Sequence, residues 1–256
     1  MLLSKHQSSE HTKLLLMGDS KSGKTGALAS LVLAGYKLRI LDLDNGLDAL
    51  AAALRNADPK KLENVEFRTL RDKWTSSPVG PIVAGQATAF IEALRMLDRW
   101  KYGDVDLGIP AEWGADTVLA VDSLTFLSDA AWNFREPLVP RSRDGKYDVR
   151  AVYKDAQDAI SGVLALLTSE SFRTNVIVIS HVRYVDNPDG TKKGYPTGLK
   201  LISREMFLRQ VQEVFGCLTA AVKYSARSEF QNSPRTVRFP LMKKHFISQQ
   251  ICMSFA

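Results

Sequence analysis

The stretch "GDSKSGKTGAL", residues 18–28, stands directly after the apolar run "KLLLM" and opens a segment free of proline. Gly18, Gly23, Lys24 and Thr25 satisfy the spacing G-x-x-x-x-G-K-[ST]. At that spacing the glycines let backbone N–H groups turn inward on a phosphate. Lys24 reaches the β and γ phosphates, and the Thr25 hydroxyl ligates Mg²⁺. The helix that starts here puts its positive N-terminal end beneath the phosphates. The expected nucleotide contacts are therefore Gly18, Asp19, Ser20, Lys21, Ser22, Gly23, Lys24, Thr25 and Gly26. Lys21 reads either as a phosphate contact, in its own or a neighbouring subunit, or as a solvated loop lysine.

The chain around this loop has 256 residues, 45% of them hydrophobic, which is enough for a substantial core. A net charge of +6 favours polyanionic partners such as nucleic acid. Cys217 and Cys252 make neither a disulfide framework nor a metal cluster, which fits a reducing compartment. The first residues lack a long apolar run with a cleavage site, and no apolar stretch approaches the roughly 20 residues that span a bilayer. The expectation is a cytoplasmic protein with no membrane partner.

Strand-like and helical runs alternate along the chain. Strands are expected at 13–17, 37–44, 65–70, 116–123 and 174–181, and helices at 24–34, 47–54, 84–100 and from Val149 to Leu167. The runs "DTVLAVDS" and "TNVIVISH" are continuously apolar, as in strands buried on both faces. The pattern predicts an α/β fold, a mostly parallel twisted sheet with helices on both faces. From about 212, "FGCLTAAVKY" and "RTVRFP" suggest an antiparallel hairpin at the sheet edge near the C-terminus. No linker divides the chain. Residues 1–11 read as a tail, 12–226 as the core, and 227–256 as a basic hairpin or tail of the same domain.

Three strand ends carry the remaining candidates for chemistry. Asp122 follows "TVLAV" where strands meet ligands, and suits the second Mg²⁺ anchor. The other reading is a cap for the helix starting near Leu124, a role Ser123 could also fill. Because Ser123, not Glu, follows the acid, the catalytic base must come from another strand. Asp42 and Asp44 share one face of the strand "RILDLD". Asp44 could orient the attacking water, with Asp42 behind it. The other reading makes both acids caps for the next helix, with Asn45 and Gly46 in the turn. His181 ends "VIVIS" and reads as a sensor of the γ-phosphate or as a surface residue.

With "GDSKSGKT", "LRILDLDNGLDAL", "TVLAVDS" and "VIVISH" in this order and followed by a basic loop and "GYPTGLK", the chain resembles a RecA-fold recombinase core. More particularly it resembles the small phage-encoded RecA-like single-strand annealing ATPases, over residues 12–226. The resemblance implies a Mg²⁺-dependent ATPase, with DNA stimulating its turnover. It also implies subunits in a ring or filament with ATP at their interfaces, and single-stranded DNA as partner. A single-strand-binding protein is a further expected partner, in the host cytoplasm if the chain is phage-encoded. Lys24 and Thr25 would hold nucleotide, Asp122 the metal and Asp44 the water, while His181 would link the γ-phosphate to DNA-binding loops. Two departures stand out. Asp44 replaces the longer Glu of the RecA pattern, and the accessory domains of larger recombinases are missing.

Two basic segments leave the same edge. Residues 137–154 carry Arg141, Arg143, Lys146, Arg150 and Lys154; residues 182–200 carry Arg183, Lys192, Lys193 and Lys200. Tyr147, Tyr184 and Tyr195 are interspersed, and cations with aromatic faces hold single strands without sequence preference. The candidate DNA contacts are Arg141, Arg143, Lys146, Arg183, Lys192 and Lys193; solvated surface loops are the other reading. Lys192, Lys193 and Lys200 are also candidates to complete a neighbour's ATP site. Two other functions remain open. A ParA/MinD-like nucleotide switch would explain the paired aspartates of "DLDNG", although its extra lysine follows the first glycine, where this chain has Asp19. A small-molecule kinase has no specific mark in its favour.

Overall fold

The computed structural model describes residues 11–141, 143, 145, 148–186 and 190–197, Lys192 and Lys193 by backbone alone. In chain order the described strands are β1 (Lys13–Gly18), β2 (Lys37–Asp42), β3 (Val65–Thr69), β4 (Trp74–Ser77), β5 (Gly80–Val83), β6 (Lys101–Tyr102), β7 (Val105–Asp106), β8 (Gly114–Asp122), β9 (Thr174–Asp186) and β10 (Lys192–Pro196). The helices are α1 (Lys24–Ala27), α2 (Ala29–Leu33), α3 (Asp48–Ala53), α4 (Pro59–Leu62), α5 (Ala89–Asp98), α6 (Leu124–Arg135) and α7 (Val149–Thr168).

β1, β9, β8, β2 and β3 lie side by side in that order, all parallel, and β10 returns antiparallel on the far half of β9. This is the mostly parallel, helix-covered sheet that the sequence predicts. Alternation of side chains along each strand feeds two cores. Leu15, Met17, Leu119, Val121, Val176 and Val178 face α5, α6 and α7, which contribute Phe90, Met96, Leu127, Ile160 and Val163. Leu14, Leu16, Leu38, Ile40, Val118, Ala120, Ile177 and Ile179 face α2 and α3 through Leu31, Val32 and Leu50. Each strand of the centre is thus apolar on both faces, and its sequence is a continuous run instead of an alternating one.

Several boundaries differ from expectation. The helix expected over 24–34 is tightened at Leu28, whose N–H bonds back three residues to Thr25 O at 3.1 Å, dividing α1 from α2. The helix expected over 84–100 is α5, beginning only at Ala89. Ahead of it stands an unforeseen hairpin, β4 and β5, paired from Trp74↔Val83 to Ser77↔Gly80. Within the segment 182–200, expected as a loop, the described residues 182–186 continue β9 and pair with Lys192–Pro196 of β10 as a β-ribbon. This ribbon is the antiparallel hairpin in the C-terminal part of the described chain; the pairing expected from about 212 lies outside the described residues. The segment 137–154 runs into α7 at Val149, whose first turn is capped by the Asp148 carboxylate on Arg150 N. No described helix is long and apolar enough to cross a membrane.

At the opposite edge of the sheet from the strand ends, Asn175 of β9 is buried and ties β8 to the residue just ahead of β1. Its Oδ1 accepts from Thr12 N at 2.9 Å, and its Nδ2 donates to Ala115 O at 2.8 Å and Thr117 O at 3.2 Å. The amide spans the irregularity where β8 skips from Gly114 to Val118 against β9. Asn175→Ala strands buried backbone groups, so the unfolding free energy in urea is expected to fall by about 2–3 kcal/mol.

Candidate functional site

Register brings the candidate residues to one edge. Gly18 pairs with His181, Asp42 with Asp122, and Asp122 with Ile179, so the ends of β1, β8 and β2 are level with the middle of β9. The loop 18–25 lies between β1 and α1. It turns into the helix through Gly23, whose φ of 84° lies in the left-handed region. At Gly18 a Cβ would sit 2.6 Å from Ser22 Oγ, a lighter constraint because that hydroxyl can turn away. Asp19, Ser20 and Lys21 are exposed at the loop crest, and Lys21 is itself left-handed at φ 61°.

Lys24 is buried inside this loop. Its Nζ donates to Asp19 O at 2.7 Å, to Gly18 O at 3.0 Å and to Ser22 Oγ at 3.5 Å. Burial lowers the lysine pKa, opposed by the negative charges of Asp122, Asp19 and Asp44. One residue on, the Thr25 hydroxyl donates to Asp122 Oδ2 at 2.6 Å, joining residues 97 positions apart. Asp122 therefore binds across to the loop. Ser123, at the N-cap of α6, makes no side-chain cap bond, and its buried Oγ has no partner among the described residues.

The strand expected over 37–44 ends at Asp42, so Asp42 closes β2 while Asp44 lies two residues beyond it, and the two aspartates have different surroundings. Asp42 is buried; its Oδ1 accepts from Asn45 N at 2.8 Å and Gly46 N at 3.3 Å, and its Oδ2 from Thr69 Oγ1 at 2.8 Å. It is committed to holding the turn. Asp44 Oδ1 is buried without a hydrogen-bond partner among the described residues. Its pKa is raised, first by burial and then by Asp42 beside it, with the Gly46 backbone N–H and then Lys24 acting in the opposite sense. A carboxylate so placed is a better proton acceptor than a solvated one.

His181 is half-buried, its ring edge-on to Phe126 at 6.0 Å between centroids. Its pKa is lowered by burial and by Lys24, so the imidazole is neutral at pH 7. Sequence reasoning missed what surrounds it. His181 N donates to Thr125 Oγ1 at 3.2 Å, Thr125 Oγ1 donates to Thr197 O at 2.9 Å, and Thr197 N donates to His181 O at 2.7 Å. Ser180 Oγ adds a bond to Thr197 O at 3.3 Å. The middle of β9, the first turn of α6 and the exit from β10 are thus tied together three residues beyond Asp122. Thr125 carries no periodicity and nothing in the sequence marked it, while Thr197 stood out only as part of "GYPTGLK". Tyr184, on β9 beyond the core, donates to Asp19 Oδ2 at 3.5 Å, which places it against the loop crest.

Of the expected DNA contacts, Arg183 is exposed on β9, while Arg141 and Arg143 are exposed after a short 3₁₀ turn over Glu136–Leu138. Arg141 Nη1 donates to Gly145 O at 3.4 Å. Lys192 and Lys193 lie on β10, opposite Asp186 and Val185. Lys146, Tyr147 and Lys200 lie outside the described residues, as does everything beyond 197.

The donor set fits a magnesium nucleotide. Thr25 Oγ1 and Asp122 Oδ2 are adjacent hard oxygen donors, one hydroxyl and one carboxylate, of the sort Mg²⁺ takes alongside phosphate oxygens and water. Burial pushes the Asp122 carboxyl up from 3.8 to about 6, against the pull of the Thr25 hydroxyl. The fold therefore favours the protonated acid. Its contribution to stability is full below pH 3.8 and is lost as pH rises through about 6. Asp122→Asn is expected to raise the unfolding midpoint of the ligand-free protein at pH 8 and to change it far less at pH 4, as thermal melts at both pH values would show.

A family model described as "AAA domain" matches residues 10–237. No curated protein matches the sequence. Among solved structures, the chain is similar to the RadB recombinase at 17% identity, over 78% of this chain and 72% of that one, with a TM-score of 0.38. It is also similar to an ATPase from the type III secretion system of pathogenic bacteria, at 16% identity and a TM-score of 0.36. That alignment covers 71% of this chain and 48% of the other, so the chain spans about half of that protein's length.

Proposed function

We propose that this chain, which belongs to the AAA domain family, is a P-loop ATPase that hydrolyses ATP with Mg²⁺ and binds single-stranded DNA as an oligomer in recombination or annealing. The observation that carries the nucleotide reading is the 2.6 Å bond from Thr25 to Asp122 beside a lysine enclosed in its own glycine loop. Lys24 and the backbone of 18–26 would bind the phosphates, and Thr25 and Asp122 would hold Mg²⁺. The ion, when bound, neutralises phosphate charge. Asp44 Oδ1, unpartnered and raised in pKa, accepts a proton from the attacking water. His181, neutral and edge-on to Phe126, stands where the strand register places it beside Gly18 and passes the state of the site to Thr125 and Thr197.

The DNA reading is supported by the positions of the cations. Arg141, Arg143 and Arg183 are exposed, and Lys192 and Lys193 sit on the ribbon that continues β9 out of the site. Backbone-tracking cations of this sort bind single strands through phosphate and lose affinity with salt. Because Thr197 leaves β10 bonded to His181 and Thr125, a change at the phosphates has a direct route to the basic ribbon.

Hydrolysis of ATP, measured at low salt with and without a single-stranded oligonucleotide, tests both halves. Lys24→Ala is expected to abolish ATP binding. Asp44→Asn is expected to keep binding while lowering turnover by about 100-fold or more. A rate that ignores DNA in the wild type would remove the recombination reading and leave a nucleotide switch.

A further inference from the structure

The hairpin β4–β5 belongs to neither core. It forms its own two-stranded sheet, and Trp74, Thr75 and Ser76 are all exposed in succession, so both its faces meet solvent. It nevertheless carries large apolar side chains: Trp74 is 55% exposed, Ile82 46% and Val79, at the turn, 91%. An isolated two-stranded hairpin is marginal in water, so its root must hold it.

The root is well secured at the edge that carries the ATP site. Leu70 N donates to Asp42 O at 2.8 Å, and Arg71 Nη1 to Asp44 O at 3.4 Å. Asp72 Oδ1 accepts from Thr88 N at 2.9 Å and Ala89 N at 3.0 Å, at the start of α5, while its Oδ2 accepts from Asn133 Nδ2 of α6 at 3.0 Å. Ala84 N closes the base on Lys73 O at 2.7 Å.

These bonds decide the charge of the surface. Asp72 is the one acid between Arg71 and Gln86, and its carboxylate is taken up by three donors. Arg71 and Lys73 are exposed on either side of it, and Lys73 forms no ion pair among the described residues. The Trp74 indole, next to them, makes no hydrogen bond or ring contact among the described residues. An exposed, unpartnered aromatic face with uncompensated cations one and three residues ahead of it in the chain matches a stacked base with its phosphates.

We propose that the β4–β5 hairpin is a separate single-stranded DNA contact, in which a base stacks on Trp74 while Lys73 and Arg71 hold the adjoining phosphates. It rests on the DNA reading above but uses no residue of the two basic segments. Through Arg71 and Leu70, the strand bound there is attached to the backbone of the Asp42–Asp44 turn.

The test is the affinity of the full chain for a labelled oligothymidylate, by fluorescence anisotropy with Mg²⁺ and a non-hydrolysable ATP analogue, over a salt series. Trp74→Ala is expected to weaken binding roughly tenfold, and Trp74→Phe to restore most of it, since any aromatic face supports stacking. Lys73→Ala should make the dependence of log affinity on log salt shallower by about 0.7, the increment for one phosphate contact on a single strand, while Trp74→Ala leaves that slope alone. Melting curves that superpose on the wild type's exclude misfolding. Unchanged affinity in Trp74→Ala, or equal losses in Trp74→Ala and Trp74→Phe, overturns the hairpin contact and leaves the DNA reading standing. Wild-type protein with no affinity for the oligonucleotide overturns both. Variants that shift the oligomeric state by light scattering while binding DNA normally would make the hairpin an interface between protein chains, against the proposal.

Discussion

Parallel strands that are apolar on both faces can hold charge only where they end. Leu14 to Met17, Val118 to Val121 and Val176 to Ile179 are almost wholly withdrawn from water, and helices close both sides. Every polar group needed for chemistry is therefore displaced to the strand ends, and the level register of β1, β9, β8 and β2 brings them together. Thr25 and Asp122 meet because the sheet is in register; neither has a local reason to be near the other. The site inherits its precision from the cores beneath it.

This crowding of carboxylates has an electrostatic consequence. Asp122, Asp44 and Asp42 lie close enough for Asp44 and Asp42 to raise the Asp122 pKa and for Asp42 to raise that of Asp44, with Lys24 as the nearest cation. Without an added cation the arrangement is unfavourable, and burial worsens it. A divalent ion that joined Thr25 and Asp122 would relieve the strain, so the fold stores an affinity for positive charge at the place where phosphates would need it. The neutral state of His181 belongs to the same balance, because Lys24 and burial both disfavour a further proton there.

The sequence made the cores and the loop legible because burial on both faces writes itself as uninterrupted apolar runs, and because G-x-x-x-x-G-K-T has few other meanings. It was silent on the two hairpins for the opposite reason. Trp74 to Val83 are solvated on both faces, so no alternation exists to be read, and the helix expected from residue 84, just after them, begins only at Ala89. Past His181, the residues Arg183 and Asp186 looked like a loop, although β9 continues through them with a partner, β10, that only the fold supplies. Asp42 and Asp44 were recognised as a pair, but their division of labour depends on Thr69, which arrives from the neighbouring strand. Thr125 and Thr197 act through hydroxyl and backbone bonds that leave no mark on composition or period.

One consequence follows from the length of β9. Its thirteen residues form one unbroken rod of roughly 40 Å, clamped between β1 and β8 over its first half and free of them over its second. Past that clamp β10 pairs with it, and Val185 and Tyr195 keep the ribbon packed on the core. A tilt of a few degrees near Ser180 and His181 would shift Asp186 by about an ångström. Because the Thr125–Thr197 bonds hold the ribbon at that point, the first turn of α6 fixes the angle at which the basic ribbon leaves the sheet.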